Sequence, residues 1–256
     1  MKKLMLFLLV LPLFAWAQNP FDGTWKVDAS SAKIAAKPDV YVLQNGMYDC
    51  KSCVPPYKIK ADGTDQKVSG HPYFDTIAIK AVDDKHVEES WSKNGKKQGS
   101  QTYEVSPDGK TMTVSFTDNS APSGQTVTGK GEMTRVAAGP AGAHAMSGSW
   151  EQKSFSANDE AMTFTIQMSG DSITVSSPTG TGYTAKLDGT EAPYKGDPGI
   201  TSVTVKKLGP NTLEETDKRD GKVIGTSKMT VNGNKMTIDG VDKLHGAKTT
   251  IMANKT

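Results

Sequence analysis

The stretch Glu88-Glu89-Ser90-Trp91-Ser92-Lys93-Asn94-Gly95-Lys96 returns later in the chain as Glu214-Glu215-Thr216-Asp217-Lys218-Arg219-Asp220-Gly221-Lys222. The two stretches lie inside a longer match, in which residues 57–105 align without a gap to residues 183–231 at a constant offset of 126. An internal repeat of this length predicts two copies of one domain rather than a single large one.

The repeat and the N-terminal residues divide the chain into four parts. A basic Lys2-Lys3, an apolar run over residues 4–14 and the small-x-small site Ala15-Trp16-Ala17 predict a signal peptide at residues 1–17. We expect a first barrel-forming repeat at 18–136, a linker at 137–147 and a second repeat at 148–256. The predicted localisation is therefore periplasmic or secreted.

Charge and hydropathy exclude two classes of partner. No stretch after the leader is apolar and long enough for a transmembrane segment. Two of the 30 Lys and Arg residues lie in the leader, which leaves 28 against 28 Asp and Glu. A nucleic-acid-binding protein normally carries a basic surplus on one face, so no nucleic-acid partner is expected.

Alternating apolar and polar residues dominate both repeats. Met162, Phe164, Ile166 and Met168 are separated by single polar residues, which is typical of a half-buried strand. Frequent Asn-Gly and Asp-Gly pairs predict tight turns, and helical signal is limited to one or two turns in residues 30–36 and 156–162. The predicted fold class is all-β, with two tandem antiparallel β-barrels of roughly eight to ten strands each, because closure removes exposed sheet edges.

A short motif at the start of each repeat resembles a known family. Phe21-Asp22-Gly23-Thr24-Trp25 and Gly148-Ser149-Trp150 are similar to the first strand of calycins, the group of lipocalins and fatty-acid-binding proteins. The pattern also looks like secreted bacterial tandem lipocalin-like proteins of unknown function. The resemblance implies a calycin-like barrel whose first-strand Trp closes one end, covered by an Arg of the last strand, here Arg135. From the residues alone, Trp25 and Trp150 are predicted to be structural core residues.

Three residues of the first repeat are candidates for lining or closing a ligand pocket: Trp91, Glu89 and Arg135. Adjacent residues of a strand point to opposite faces, so one Glu of each pair Glu88-Glu89 and Glu214-Glu215 shares a face with Val87 and Trp91, or with Leu213 and Asp217. If that face is the lumen, Glu89 and Glu215 lie inside a pocket. A solvated strand face is the alternative, and it is the preferred interpretation of these glutamates.

Cys50 and Cys53 are the only cysteines, and the second repeat has no counterpart. In an oxidising compartment the preferred prediction is a local structural disulfide. A redox pair, which would need a helix N-terminus, and a metal site or free thiols stay open as alternatives.

The histidines and one glycine-rich segment do not match the patterns of metal or nucleotide sites. The four His residues are far apart, so no metal site is predicted. Residues 124–131 nearly match a phosphate loop but end in Gly131 where Ser or Thr is needed, so no cofactor is predicted. The sequence favours an exported, non-enzymatic binding protein that holds a small, partly apolar molecule in a barrel lumen. The alternatives are a structural or interaction module of the cell envelope with filled barrels, and a redox enzyme.

Overall fold

The computed structural model describes residues 19–256, and the predicted signal peptide lies outside the described residues. Within that range the chain forms strands and one short helix. In chain order they are β1 (Gly23–Ala35), β2 (Asp39–Gln44), β3 (Met47–Cys50), β4 (Tyr57–Lys60), β5 (Gln66–Lys67), β6 (Thr76–Ala81), β7 (His86–Lys93), β8 (Lys96–Val105), β9 (Thr111–Asp118), β10 (Val127–Ala138), β11 (Gly148–Ala157), α1 (Asp159–Met162), β12 (Thr163–Ser169), β13 (Ser172–Ser176), β14 (Gly182–Lys186), β15 (Asp188–Lys195), β16 (Ser202–Gly209), β17 (Thr212–Arg219), β18 (Lys222–Asn232), β19 (Lys235–Asp242) and β20 (Ala247–Lys255).

The strands form two ten-stranded antiparallel sheets. One is a closed barrel of β1 and β12–β20, which we name the split barrel because β1 is far from its other strands in sequence. The other is a nearly closed barrel of β2–β11, which we name the contiguous barrel because residues 39–157 supply all of it. The prediction of an all-β fold with two antiparallel barrels is confirmed.

The two repeats exchange their first strands. Strand β1 pairs with β12 and β20, whereas β11 pairs with β2 and β10. The expectation that residues 18–136 and 148–256 each form a barrel of their own is therefore corrected by one strand per repeat. The physical reason is local: β10 and β11 are joined by only the short segment 139–147, so their antiparallel pairing closes a small loop at low entropic cost.

Each barrel has its own hydrophobic core. In the split barrel, Phe21 and Trp25 pack with buried residues of β13–β20 such as Val205 and Leu213. In the contiguous barrel, Trp150 packs with buried residues of β2–β10. Inward and outward residues alternate along the strands, so each interior is lined by every second residue.

Several local features complete the fold. The predicted helical turns at residues 30–36 are wrong, since residues 30–35 continue β1, whereas Asp159–Met162 is helical as expected. Cys50 and Cys53 form the predicted disulfide bond. Across residues 19–256, we find no helix with the length and apolar character needed to cross a bilayer.

Candidate functional site

One end of each barrel is closed by a tryptophan in the same way. The indole Nε1 of Trp25 donates to the carbonyl of Phe21 at 2.8 Å, and that of Trp150 donates to the carbonyl of Met146 at 2.9 Å. Both tryptophans are completely buried. The identical geometry follows from the repeated Gly-x-Trp, because each indole N–H must find a partner when it is buried.

A cation of the neighbouring last strand covers each tryptophan. Arg135 lies 4.1 Å from the ring centre of Trp150 and donates to three main-chain carbonyls. Lys255 lies 4.9 Å from the ring centre of Trp25. The sequence placed Arg135 over Trp25, and that expectation is corrected: the strand exchange brings Arg135 to Trp150 and leaves Trp25 to Lys255. Arg135 therefore lies at the closed end of the contiguous barrel.

Glu89 lies inside the contiguous barrel. It is only 8% exposed, and the hydroxyl of Tyr103 donates to its Oε2 at 2.9 Å. Gln101 in turn hydrogen-bonds to that hydroxyl. Burial raises the pKa of the Glu89 carboxyl above its ordinary value, although these hydrogen bonds oppose the shift. The preferred interpretation of a solvated strand face is thus wrong for Glu89, because its strand turns this face inward.

Aromatic rings occupy much of the interior around Glu89. Four tyrosines pack near it, with ring-to-ring distances of about 6 Å; they are Tyr41, Tyr48, Tyr57 and Tyr103. Towards the open end, which is the end of the barrel opposite Trp150, the ring of Trp91 lies over Gly99 and that of Phe116 lies over Gly129. A Cβ atom at either glycine would collide with the ring. His71 and Phe74 stack at 4.6 Å and reach Tyr57, so side chains bridge the unpaired edges of β4 and β5.

Glu215 occupies the position in the split barrel that Glu89 occupies in the contiguous one. The hydroxyl of Tyr183 hydrogen-bonds to it, and Asp217 lies two residues further along the same face of β17. Burial, followed by the charge of Asp217, raises the pKa of Glu215, and burial also raises the pKa of Asp217. The two carboxyls therefore share a poorly solvated site in which simultaneous ionisation is disfavoured.

The strand registers show where the side chains of the two interiors differ. Glu89 is level with Gln101 and Phe116 across β7–β9, as Glu215 is level with Ser227 and Gly240 across β17–β19. One step towards the open end, Trp91 corresponds to Asp217, each paired with a glycine of the next strand. The contiguous barrel thus has three large side chains where the split barrel has an aspartate, a serine and a glycine.

These smaller residues line a cavity of about 450 Å³ at the open end of the split barrel. Its inner wall includes Asp217, Ser227 and Gly240, and its rim includes apolar residues; the rim residues are Ile200, Ile224, Leu244 and Tyr73. Tyr73 belongs to the contiguous barrel, and its hydroxyl donates to Asp197 of the split barrel at 3.0 Å. A loop of one barrel therefore forms part of the entrance to the other.

Sequence reasoning missed the residues of this cavity. The gapless alignment already places Asp217 opposite Trp91 and Ser227 opposite Gln101, so an internal comparison would have found both. Gly240 lies beyond the aligned stretch, and only the strand register pairs it with Phe116. Within residues 19–256 no group of three or more His, Cys, Asp or Glu residues is arranged to hold a metal ion.

Comparison of the chain with protein-family models, with curated proteins and with solved structures finds no match. The function is therefore inferred from the geometry of the two interiors. Whether Trp91, Glu89 and Arg135 contact a ligand stays a prediction: the first two lie inside the contiguous barrel and the third at its closed end.

Proposed function

We propose that this protein is an exported, lipocalin-like binding protein that holds a small, partly apolar molecule in the open end of the split barrel. The observation that carries the proposal is the 450 Å³ cavity, which lies where three large side chains of the other barrel are replaced by smaller ones. Ligand pockets in proteins are typically concave, of roughly 300–1,000 Å³, and mix apolar walls with a few polar groups.

The rim and the inner wall favour a ligand with one apolar end and one polar end. Ile200, Leu244 and Tyr73 offer apolar surface near the entrance, whereas Asp217 and Ser227 offer polar atoms deeper inside. Export is supported by the predicted leader and by the Cys50–Cys53 disulfide, since disulfides persist in oxidising compartments. Nothing in the geometry requires a chemical reaction, and we propose a non-enzymatic role.

The test fills the cavity with the larger side chains that the contiguous barrel has at the equivalent positions. Mature protein is titrated with a neutral fluorescent apolar probe, N-phenyl-1-naphthylamine, and then compared with the double variant Ser227→Gln and Gly240→Phe. A Cβ at Gly240 would have no neighbour closer than 3.9 Å, so the backbone there accepts a side chain. We expect saturable probe binding by the unmodified protein and at least about a tenfold loss in the filled variant.

Glu214→Gln is the matched control, because Glu214 lies on the same strand as Glu215 but points to solvent. It should bind the probe like the unmodified protein. Circular dichroism verifies that each variant keeps its β-structure. Equal binding by the filled variant would remove the cavity as the site, and absence of any saturable binding would favour the alternative of a structural or interaction module with filled barrels.

A further inference from the structure

We infer that the split barrel selects ligands that carry a protonated amine, with the ammonium group placed against Asp217 and the apolar part at the rim. This inference rests on the proposed function, because it assigns the ligand class of the same cavity. The inference depends on which charged groups around the cavity already have hydrogen-bond or ion-pair partners within the protein.

Asp217 differs from Asp242, the other carboxylate that lines the cavity, and from Asp197, which contacts Tyr73 at its entrance. The Oδ1 atom of Asp217 is buried and has no hydrogen-bond partner among residues 19–256. By contrast, Asp242 accepts hydrogen bonds from two main-chain N–H groups and pairs with the ring of His245 at 2.6 Å. Asp197 accepts from the hydroxyl of Tyr73 and from the main-chain N–H of Gly199. Asp217 is therefore the acceptor that a ligand would complete.

Neither of the two cationic residues that follow Asp217 in β17 neutralises it. Lys218 pairs instead with Glu191 at 2.5 Å. Arg219 also lines the cavity, but in the described part of the chain it forms no ion pair within 4.0 Å. Its charge acts on Tyr73, whose hydroxyl pKa it lowers against the larger opposing effect of burial, so it faces the rim. Glu215 and Asp217 thus have no protein cation within 4.0 Å in the described residues, and a negative charge on Asp217 is unfavourable there unless a partner is supplied.

An ammonium group matches the atoms that surround this position. It has three N–H donors and no acceptor, and the inner wall offers acceptors from Asp217 and from the hydroxyls of Ser227 and Thr249. Hydrogen bonds between a charged donor and a carboxylate are stronger than neutral ones, especially when water is excluded. A ligand carboxylate in the same place would meet the charge of Asp217 directly and is disfavoured.

The contiguous barrel lacks this arrangement. Trp91 stands where the split barrel has Asp217, and Glu89 is satisfied by Tyr103 within an aromatic interior. A single carboxyl that already accepts a hydrogen bond from Tyr103 needs no external cation. The inference therefore applies to the split barrel alone, and it predicts that amine selectivity follows Asp217.

The experiment compares three probes with the same tail: hexylamine, hexanol and hexanoate. Each displaces bound N-phenyl-1-naphthylamine from the full mature protein near neutral pH, where the amine is protonated. We expect hexylamine to act at a concentration at least about tenfold below that of hexanol, with hexanoate the weakest. In Asp217→Asn the advantage of the amine should fall to within about threefold, whereas Glu214→Gln should keep it.

The outcomes separate the inference from the function on which it rests. If the naphthylamine probe binds but the three displacers act equally, or hexanoate acts best, the amine preference is refuted and the binding function stands. If no probe binds, both fail together. The comparison of displacers in the unmodified protein needs no variant, so it decides the matter even if Asp217→Asn does not fold.

Discussion

At the scale of single residues, the repeat preserves the closing tryptophans and varies what surrounds them. Trp25 and Trp150 make equivalent hydrogen bonds, yet one is covered by Lys255 and the other by Arg135. A guanidinium can stack on a ring and donate to several carbonyls at once, which an ammonium on a flexible chain does less well. The two barrel ends should therefore differ in how much their cation stabilises them.

Arg135→Ala and Lys255→Ala form a matched pair for this difference. Arg135→Ala removes a cation–π contact and three hydrogen bonds to carbonyls, and we expect it to lower the free energy of unfolding by about 2–4 kcal/mol. Lys255→Ala should cost less, about 1 kcal/mol, because its cation–π contact is longer and it donates one hydrogen bond, to the carbonyl of Pro20, instead of three. Urea unfolding measures both; equal losses would contradict the assignment of Arg135 as the stronger end-closing group.

Glu215 should give stability a pH dependence of its own. Burial raises its pKa to about 8 in the folded chain, against an ordinary value of 4.5. Between these values the folded chain binds more protons than the unfolded chain, so its free energy of unfolding falls as pH rises through this window. Glu215→Gln cannot titrate, and it should gain on the order of 2 kcal/mol relative to the unmodified protein between about pH 5 and about pH 8.

Thermal unfolding of both proteins across this range measures the effect. His71, whose pKa is lowered by burial, affects stability in the opposite direction, but it is present in both proteins and cancels in the comparison. Glu214→Gln, on the solvent face of the same strand, should run parallel to the unmodified protein. Parallel curves for Glu215→Gln as well would mean that Glu215 is ionised in the fold.

The residue patterns predicted these interiors only in part. Alternation identified the face shared by Glu89 and its apolar neighbours, but a two-residue period does not say whether that face points to the lumen or to solvent. The side of the sheet is decided by how the whole barrel curves, which is a property of strands distant in sequence. The cavity at Asp217 depends in addition on Gly240, whose register becomes visible only once β18 and β19 pair.

At the scale of elements, the first strands of the two repeats have changed places. The sequence could not predict this exchange, because Gly-x-Trp is present in both copies and either strand can provide the tryptophan that a barrel needs. The choice is made by connection length: the segment 139–147 holds β11 beside β10, and β1 takes the remaining position between β12 and β20. Strand number and the barrel-like curvature of both sheets were predicted because they depend on local alternation and on edge protection, although only the split barrel is fully closed.

Removal of residues 19–35 tests the exchange directly. This deletion takes Phe21 and Trp25 from the core of the split barrel and leaves both of its edges open, while the contiguous barrel keeps all ten of its strands. We expect residues 163–255 to become sensitive to protease and residues 39–157 to stay resistant. Addition of a synthetic peptide of residues 19–35 should restore resistance.

Trp25→Phe in the full chain is the control for loss of the indole alone, and it should leave the split barrel protected. The remaining tryptophans of the truncated protein, Trp91 and Trp150, lie in the contiguous barrel, so their fluorescence reports on that barrel during urea unfolding. Protection of residues 163–255 without β1, or exposure of residues 39–157, would contradict the observed topology.

At the scale of the whole molecule, the sequence of the contiguous barrel is inserted into the sequence of the split barrel. The segment that forms the contiguous barrel lies between β1 and β12 in sequence, and the first and last described strands, β1 and β20, pair in the split barrel. The N–H of Thr256 donates to the carbonyl of Thr24 at 3.0 Å, so the C-terminus lies beside the beginning of β1. The repeat predicted two barrels, but it did not predict that one of them is discontinuous in sequence.

A circular permutant should keep this architecture. Joining Thr256 to Asn19 by a short Gly-Ser linker and opening the chain at residues 36–38 converts both barrels into contiguous segments, because β20 and β1 become a hairpin. We expect the permutant to fold to the same structure, with a free energy of unfolding within about 2 kcal/mol of the natural order. Nuclear magnetic resonance spectra that match except near the new ends would establish this. A permutant without the split-barrel core would contradict the pairing of β1 with β20.

The pairing of β1 with β20 also orders events while the polypeptide is being made. Synthesis and export both deliver the chain from its N-terminus, so β1 emerges first and β20 last, and a domain that emerges early can fold before the rest. Residues 39–157 are complete when β1 still lacks both of its neighbours. A chain that ends before its final strands would contain a folded contiguous barrel and an unpaired β1 at its N-terminal side. Such an unpaired strand can associate with another copy or with a chaperone.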